Sequence, residues 1–193
     1  MEKQVLVIAG PTGSGESTIT KEIIKKFSIF TRLVTATTRE PRLNEKDKKD
    51  YYFFSEEDFK KEVTRGSIIE HTFVPGRSVY YGTYKPDLDD KLAKGLNIIV
   101  NPDVVGARYY KEHYNATTIF IKTESVGVLK DRLVKRDSSI SDEELDRRLE
   151  AAKYELDNEE DFYDHVVINT EGKLEEAVNE VVEILKRDKY RLS

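Results

Sequence analysis

The chain has 193 residues with no cysteine, 32 basic and 37 acidic residues and a formal charge of -5. That length suits one domain with a real core and small inserted subdomains. The missing cysteines exclude disulfides, thiolate metal sites and a cysteine nucleophile, and the net acidity gives no bulk attraction to nucleic acid. No apolar run reaches the ~18 to 20 residues of a membrane helix, and the start "MEKQVLVIAG" runs into a short strand pattern without a cleavage site. A soluble cytoplasmic protein, with neither nucleic acid nor membrane as partner, is the expectation.

In chain order, strand-length apolar runs alternate with stretches of helical period, the pattern of βαβ units and a parallel sheet. "VLVIAG" (5–10) predicts a buried strand. It feeds "GPTGSGESTIT" (10–20), and "STITKEIIKKF" then places Ile19, Ile23, Ile24 and Phe27 at helical spacing. "RLVTAT" (32–37) predicts a second strand, and "NIIV" (97–100), "TTIFIK" (117–122) and "HVVIN" (165–169) three more. Between residues 38 and 86 the pattern changes to short aromatic strands, "DYYFF" and "SVYYGT", around a helix opened by Ser55 as N-cap. A helix over 125–136 runs into the polar hinge "DSSIS". Ser141 and Glu144 then form a capping-box pattern opening a helix to about Leu156, a segment able to close as a lid. The last helix starts near Leu174 and carries Ala177, Val178, Val181, Val182 and Leu185 on its apolar face. The three histidines are scattered, which argues against a histidine metal site.

Residues 10–17 match the phosphate-loop pattern GxxxxGK[ST] except at one position. Gly10, Gly15 and Ser17 fit, in the expected strand-loop-helix context, but Glu16 holds the lysine slot. Backbone amides and the helix N-terminus bind phosphate without a lysine, because their partial charge is fixed by the fold. On this stretch alone, a glycine-rich turn with an acid near a helix N-terminus accounts for the residues equally well. The second signal is Arg39 and Arg42 flanking Pro41, two guanidiniums that can clamp one phosphate in bidentate fashion. A solvated charged loop is the bland alternative, and it weakens once Tyr51, Glu70, Tyr81 and Thr83 are counted with the arginines.

At this point the sequence resembles guanylate kinase, nearly end to end. "TTREPR", "DYYFFS", "YYGT", "RRLEAAKYEL" and "YDHVVIN" follow the family's motifs in the family's order, behind a glycine loop. The resemblance implies an α/β fold: a P-loop core with a parallel sheet flanked by helices (1–37, 87–135 and 157–193), a mostly β acceptor-binding insertion (38–86) and a helical lid (136–156). It implies transfer of a phosphoryl group from ATP to GMP, giving ADP and GDP, with Mg2+ accompanying ATP. Gly10, Pro11, Thr12, Gly13, Ser14, Gly15, Glu16, Ser17 and Thr18 correspond to the donor loop, Ser17 supplying the magnesium-side hydroxyl and Asn169 a donor-base contact. Arg39, Arg42, Tyr51 and Tyr81 correspond to the acceptor-phosphate clamp. Thr35, Glu70, Thr83 and Asp103 correspond to the guanine pocket, where a carboxylate accepts from the ring N1 and the exocyclic amine. Arg136 and Arg148 correspond to lid arginines that, with Arg39, neutralise charge during transfer.

Four departures stand out: Glu16, Asn101 with Pro102 where the family has the first acid of a pair, Lys48 in place of a turn glycine, and two extra residues between Glu70 and Tyr81. Exchanging a cation for an anion changes the loop by two charges, each worth ~4 kcal/mol at ~4 Å and an effective dielectric of 20. Three readings therefore stay open: a guanylate kinase impaired by Glu16, a catalytically silent nucleotide- or partner-binding module, and a kinase for another phosphorylated acceptor.

Overall fold

The computed structural model describes residues 3–74 and 78–193. Strand β1 (Val5–Ala9) is buried along its whole length because its two faces serve two cores. Leu6 and Ile8 join Ile19 and Ile23 of α1 (Glu16–Lys26) and Val178 and Val181 of α7 (Leu174–Arg187). Val5, Val7 and Ala9 point the other way, toward Leu88 of α3 (Lys85–Ala93) and Ala107 and Tyr110 of α4 (Val104–Tyr114). A strand covered by helices on both faces reads as a continuous apolar run, as "VLVIA" does.

β1 pairs in parallel with β7 (Asn97–Val100) and β8 (Thr117–Lys122). With β2 (Phe30–Arg32) and β9 (His165–Ile168) at the edges, the sheet order is β2-β7-β1-β8-β9. Helices α5 (Val126–Arg136) and α6 (Asp142–Asn158) follow β8, and their N-caps Ser125 and Ser141 accept from Val128 N–H and Glu144 N–H. Seven residues after α6, past a 3-10 turn at Glu160–Phe162, the chain enters β9.

The expected strand over 32–37 is two strands in two sheets. Leu33 N–H still reaches Ile99 O, but Val34 N–H is captured by the Asp87 carboxylate, and the chain leaves the main sheet there. It then forms β3 (Ala36–Thr37) in a second sheet of order β4-β3-β6-β5, with β4 (Tyr52–Phe53), β5 (Ile68–Val74) and β6 (Val79–Tyr84). Leu33 belongs to one core and Ala36 to another, a division that an unbroken run of β-formers does not display. Helix α2 (Glu56–Thr64) covers the second sheet through Phe59, and Ser55 caps it by accepting from Asp58 N–H. Sequence reading missed β5, α3 and α4. Lys48 takes the left-handed conformation (φ 60°) that its turn requires without being glycine. Residues 75–77, within the lengthened segment between Glu70 and Tyr81, lie outside the described residues.

Gly10 ends β1 at φ 150°, and a Cβ there would lie 2.1 Å from the carbonyl oxygen of Ile121 in β8. A backbone oxygen on a central strand has nowhere to go. Gly10→Ala is therefore expected to cost ~3 kcal/mol or more, lowering the thermal midpoint by roughly 6–12 °C. Calorimetric melting of the two proteins checks this.

Candidate active site

The loop after β1 wraps through glycines at positive φ, Gly13 at 94° and Gly15 at 105°, before α1 begins at Glu16. Two side chains hold its backbone. Arg132, on α5, donates to the carbonyls of Gly13, Ser14 and Asn169 at 3.4, 3.1 and 2.9 Å, and its Nε donates to Glu171. Asn169, just past β9, donates its amide to Ser14 O at 2.7 Å. A Cβ on Gly15 would fall 2.2 Å from that amide nitrogen, so only glycine fits. Asn169 is 5 % exposed and is spent on the loop backbone, the contact the structure gives it in addition to the edge of the cleft.

A cleft of about 500 Å³ opens over this loop. Thr12, Gly13, Gly15, Glu16, Ser17 and Thr18 form its floor, with Asn169 and the lid-side Arg132 and Arg136 at its walls. Gly10, Pro11 and Ser14 shape the loop from beneath and do not line the cleft. The amides at the start of α1 and the exposed Ser17 hydroxyl give this floor anion-binding character. Glu16 opposes it less than its formal charge suggests. No hydrogen bond or ion pair among the described residues involves Glu16; burial, with Glu155 of α6 adding repulsion, pushes its carboxyl up to about 8. At neutral pH it is mostly protonated, so the loop lacks the lysine's positive charge without carrying a full negative one.

A second cleft of about 400 Å³ lies between the two sheets and contains all eight residues expected at the acceptor site. At one end, Arg39 packs its guanidinium over Tyr51 (5.4 Å), whose ring meets Tyr81 edge-on at 6.0 Å. Glu45 takes the outer fork of Arg39 with two hydrogen bonds of 2.9 Å and also accepts from Arg42 N–H at 2.7 Å. This holds the Glu45 carboxyl below its usual range and leaves Arg39 Nε buried with no partner among the described residues. At the other end, Thr83 donates to Glu70 at 2.9 Å, and Tyr110 lies 2.5 Å from Thr83 Oγ1. Burial pushes the Glu70 carboxyl up to about 7 against the Thr83 hydrogen bond, with Asp103 adding repulsion. Asp103 caps α4 by accepting from Gly106 N–H, and a Cβ on Gly106 would come 3.1 Å from Glu70 Oε1. Thr35 lines the same cleft, and its carbonyl accepts from Tyr52 N–H.

Between the two clefts lies a third cavity, lined by Thr12, Arg42, Arg136, Asp137 and Arg148. Thr12 and Arg136 belong also to the loop cleft, and Arg42 also to the second cleft. Arg148 is held by Glu144 one turn earlier on α6 at 2.7 Å.

Sequence reading missed Glu45, Tyr110 and Arg132. Arg132 had a signal, since it stands one helical turn before Arg136. Glu45 had a weaker one as an acid three residues beyond Arg42, and Tyr110 had none. Asn101 is now accounted for: its amide donates to Ile8 O at 2.8 Å and to Thr20 Oγ1 at 3.2 Å, tying β7 to β1 and α1. Among the described residues no group of three histidine or acidic side chains is arranged to hold a metal ion.

Comparison with known proteins agrees with this geometry. The profile of the guanylate kinase family matches residues 2–188. The guanylate kinase of Thermotoga maritima is 36% identical over all of this chain and 91% of its own length. That of Clostridium perfringens strain SM101 is 36% identical over 97% of this chain and 85% of its own. The crystal structure of guanylate kinase from Anaplasma phagocytophilum superposes with a TM-score of 0.75 at 28% identity, covering 98% of this chain and 88% of that one. A shikimate kinase from Bacteroides thetaiotaomicron, at TM-score 0.50 and 16% identity, shares the fold alone over 94% of this chain and 98% of its own. A glycine loop at the end of a central parallel strand, a second sheet beside it, and a family match along almost every residue lead to one conclusion: the chain belongs to the guanylate kinase family of nucleoside monophosphate kinases.

Proposed function

We propose that this chain transfers the terminal phosphoryl group of ATP to GMP. The observation that carries the reading is the continuity of the three cavities, with Arg42, Arg136 and Arg148 around the middle one. An oxygen of the acceptor phosphate attacks the terminal phosphorus of ATP; the bond to the bridging oxygen breaks, and ADP leaves with that electron pair. Such a transfer needs alignment and charge neutralisation more than covalent help.

In this reading Arg39 and Arg42, with Tyr51 and Tyr81, hold the acceptor phosphate. The buried, unpartnered Arg39 Nε supports that role, because a buried donor without an acceptor is costly unless a ligand supplies one. Glu70, Thr83, Thr35 and Asp103 hold the guanine edge. The loop from Gly10 to Thr18 receives the donor phosphates, Asn169 keeps the loop and the base side of the cleft in shape, and Arg136 and Arg148 neutralise the moving group. The exposed Ser17 hydroxyl suits Mg2+, which binds through few protein ligands plus substrate phosphates and waters. When bound, the ion screens the charge on the donor phosphate oxygens. Closing α6 over the donor would exclude water that otherwise hydrolyses ATP. A cytoplasmic setting belongs to the same reading.

One observation favours a second reading, a module that binds nucleotide without transferring phosphate: the loop cleft has Glu16 in place of a lysine. Release of ADP measured with GMP, dGMP, AMP, UMP and CMP separates the two. Glu16→Lys restores one positive charge beside the phosphates, and its GMP turnover is expected to exceed that of the parent by about a hundredfold. No turnover by either protein with any acceptor would remove the kinase reading and leave the binding module.

Guanine recognition should also titrate. A Glu70 carboxyl raised to about 7 is protonated below that pH, and a protonated acid cannot accept both guanine N–H groups. Affinity for guanosine, which lacks a titrating phosphate, is expected to fall as pH drops from about 8 to about 6. Calorimetric titration across that range checks it; Glu70→Gln should flatten the curve.

A further inference from the structure

The guanine end of the acceptor cleft contains a hydrogen-bond chain whose direction is forced whenever Glu70 is ionised. Tyr110, on α4, is 1 % exposed, and its hydroxyl has one partner among the described residues, Thr83 Oγ1 at 2.5 Å. Thr83 is also 1 % exposed and lies 2.9 Å from Glu70 Oε2. An ionised carboxylate only accepts, so Thr83 must give its single proton to Glu70. Its oxygen is then left to accept, and the proton between Thr83 and Tyr110 must come from the phenol. We propose that Tyr110 is a positioning residue for base selection: by donating to Thr83 it commits the Thr83 proton to Glu70, so that Glu70 and Thr83 both meet the base as acceptors.

The consequence is chemical discrimination. Glu70 Oε1, facing Gly106, and the Asp103 carboxylate are acceptors as well. The N–H groups that guanine presents at N1 and the amine find acceptors there. An edge that presents a lone pair, as adenine does at N1, meets another lone pair. Without the phenol, the Thr83 hydroxyl is free to turn its proton toward the ligand, and the pocket accepts either kind of edge. The groups facing Glu70 are Thr83 from β6, Asp103 at the start of α4, and Tyr109 and Tyr110 within α4. None of these is a cation. The donated hydrogen bonds are therefore what favours the ionised carboxylate here, and their strength rises when the chain is polarised from its far end.

This inference rests on the GMP reading, and the experiment keeps the two apart. Binding of GMP, IMP and AMP is measured by calorimetry from about pH 6 to 9 for the parent, Tyr110→Phe, Thr83→Val and the double variant. Failure of the parent to bind GMP overturns the reading and the inference together. If the parent binds, Tyr110→Phe is expected to reduce the GMP-to-AMP affinity ratio by about tenfold, the scale of one hydrogen bond, and to move the binding midpoint to higher pH. A packing role would move neither quantity, since phenylalanine keeps the ring. Should Tyr110→Phe fold poorly with Thr83 left unpaired, the double variant replaces both polar partners by apolar ones, and its ratio is expected to equal that of Thr83→Val alone. An unchanged ratio and midpoint in Tyr110→Phe, or effects of the two substitutions that simply add, overturns the inference and leaves the GMP reading intact.

Discussion

Everything in the donor half of this molecule depends on holding one loop in a shape that most residues cannot adopt. Gly10, Gly13 and Gly15 all take positive φ, and the first and last leave no room for a side chain. A loop of that kind would sample many conformations if left alone. It is fixed by Arg132 and Asn169, which take its carbonyls from the wall of the cleft and so leave the amides at the start of α1 free of them. Arg132 and Asn169 come from segments far apart in sequence, after β8 and after β9, so the loop acquires its form only when the right half of the sheet is assembled. The donor site is thus a property of the sheet order rather than of residues 10–18.

The acceptor half follows a different rule, in which charges are arranged before any ligand arrives. Arg39 is half neutralised by Glu45, which fixes the guanidinium plane against Tyr51 and directs the buried Nε elsewhere. Glu70 is kept in low dielectric with one hydroxyl donor, Thr83, and no cation facing it among the described residues, so its proton is loosely balanced near neutrality. Glu155, likewise raised to about 7 by burial and its acidic neighbours, extends that environment toward Glu16. Three carboxyl groups raised toward neutrality thus stand apart from the arginines that line the middle cavity. Glu16 shares this environment: burial and Glu155 favour its protonated form over a desolvated anion.

Much of this was legible in the sequence, for physical reasons that differ by element. Strands β7 and β8 coincide with their predicted limits because both faces are buried and the apolar run ends where the helices stop covering it. The caps at Ser55 and Ser141 were readable because capping is local chemistry. All eight expected acceptor residues line one cleft, since the motifs that carry them are contiguous segments of known order. What escaped was set by tertiary contact. The break at Val34 depends on Asp87, over fifty residues away; α3 is mostly charged and α4 mixes charged and aromatic residues, so periodicity alone resolves neither. Tyr110 reads as one more core aromatic until its hydroxyl is seen to end on Thr83. Asn101 reads as a lost acid until its amide is found bridging β7, β1 and α1.

The sheet order also governs how the chain comes into being. β1 lies at the centre, yet its two partners, β7 and β8, begin only at Asn97 and Thr117. During synthesis the most apolar strand of the protein therefore emerges first and has no neighbour until half the chain has followed. Contacts of such long range are slow to close, because loop entropy is lost before any pairing compensates it. The second sheet, by contrast, pairs β5 with β6, which follow one another in the chain, and can form as soon as both are made. The nascent chain is thus expected to order its acceptor-binding part first, while the future core of the donor site waits, exposed, for its strands to arrive.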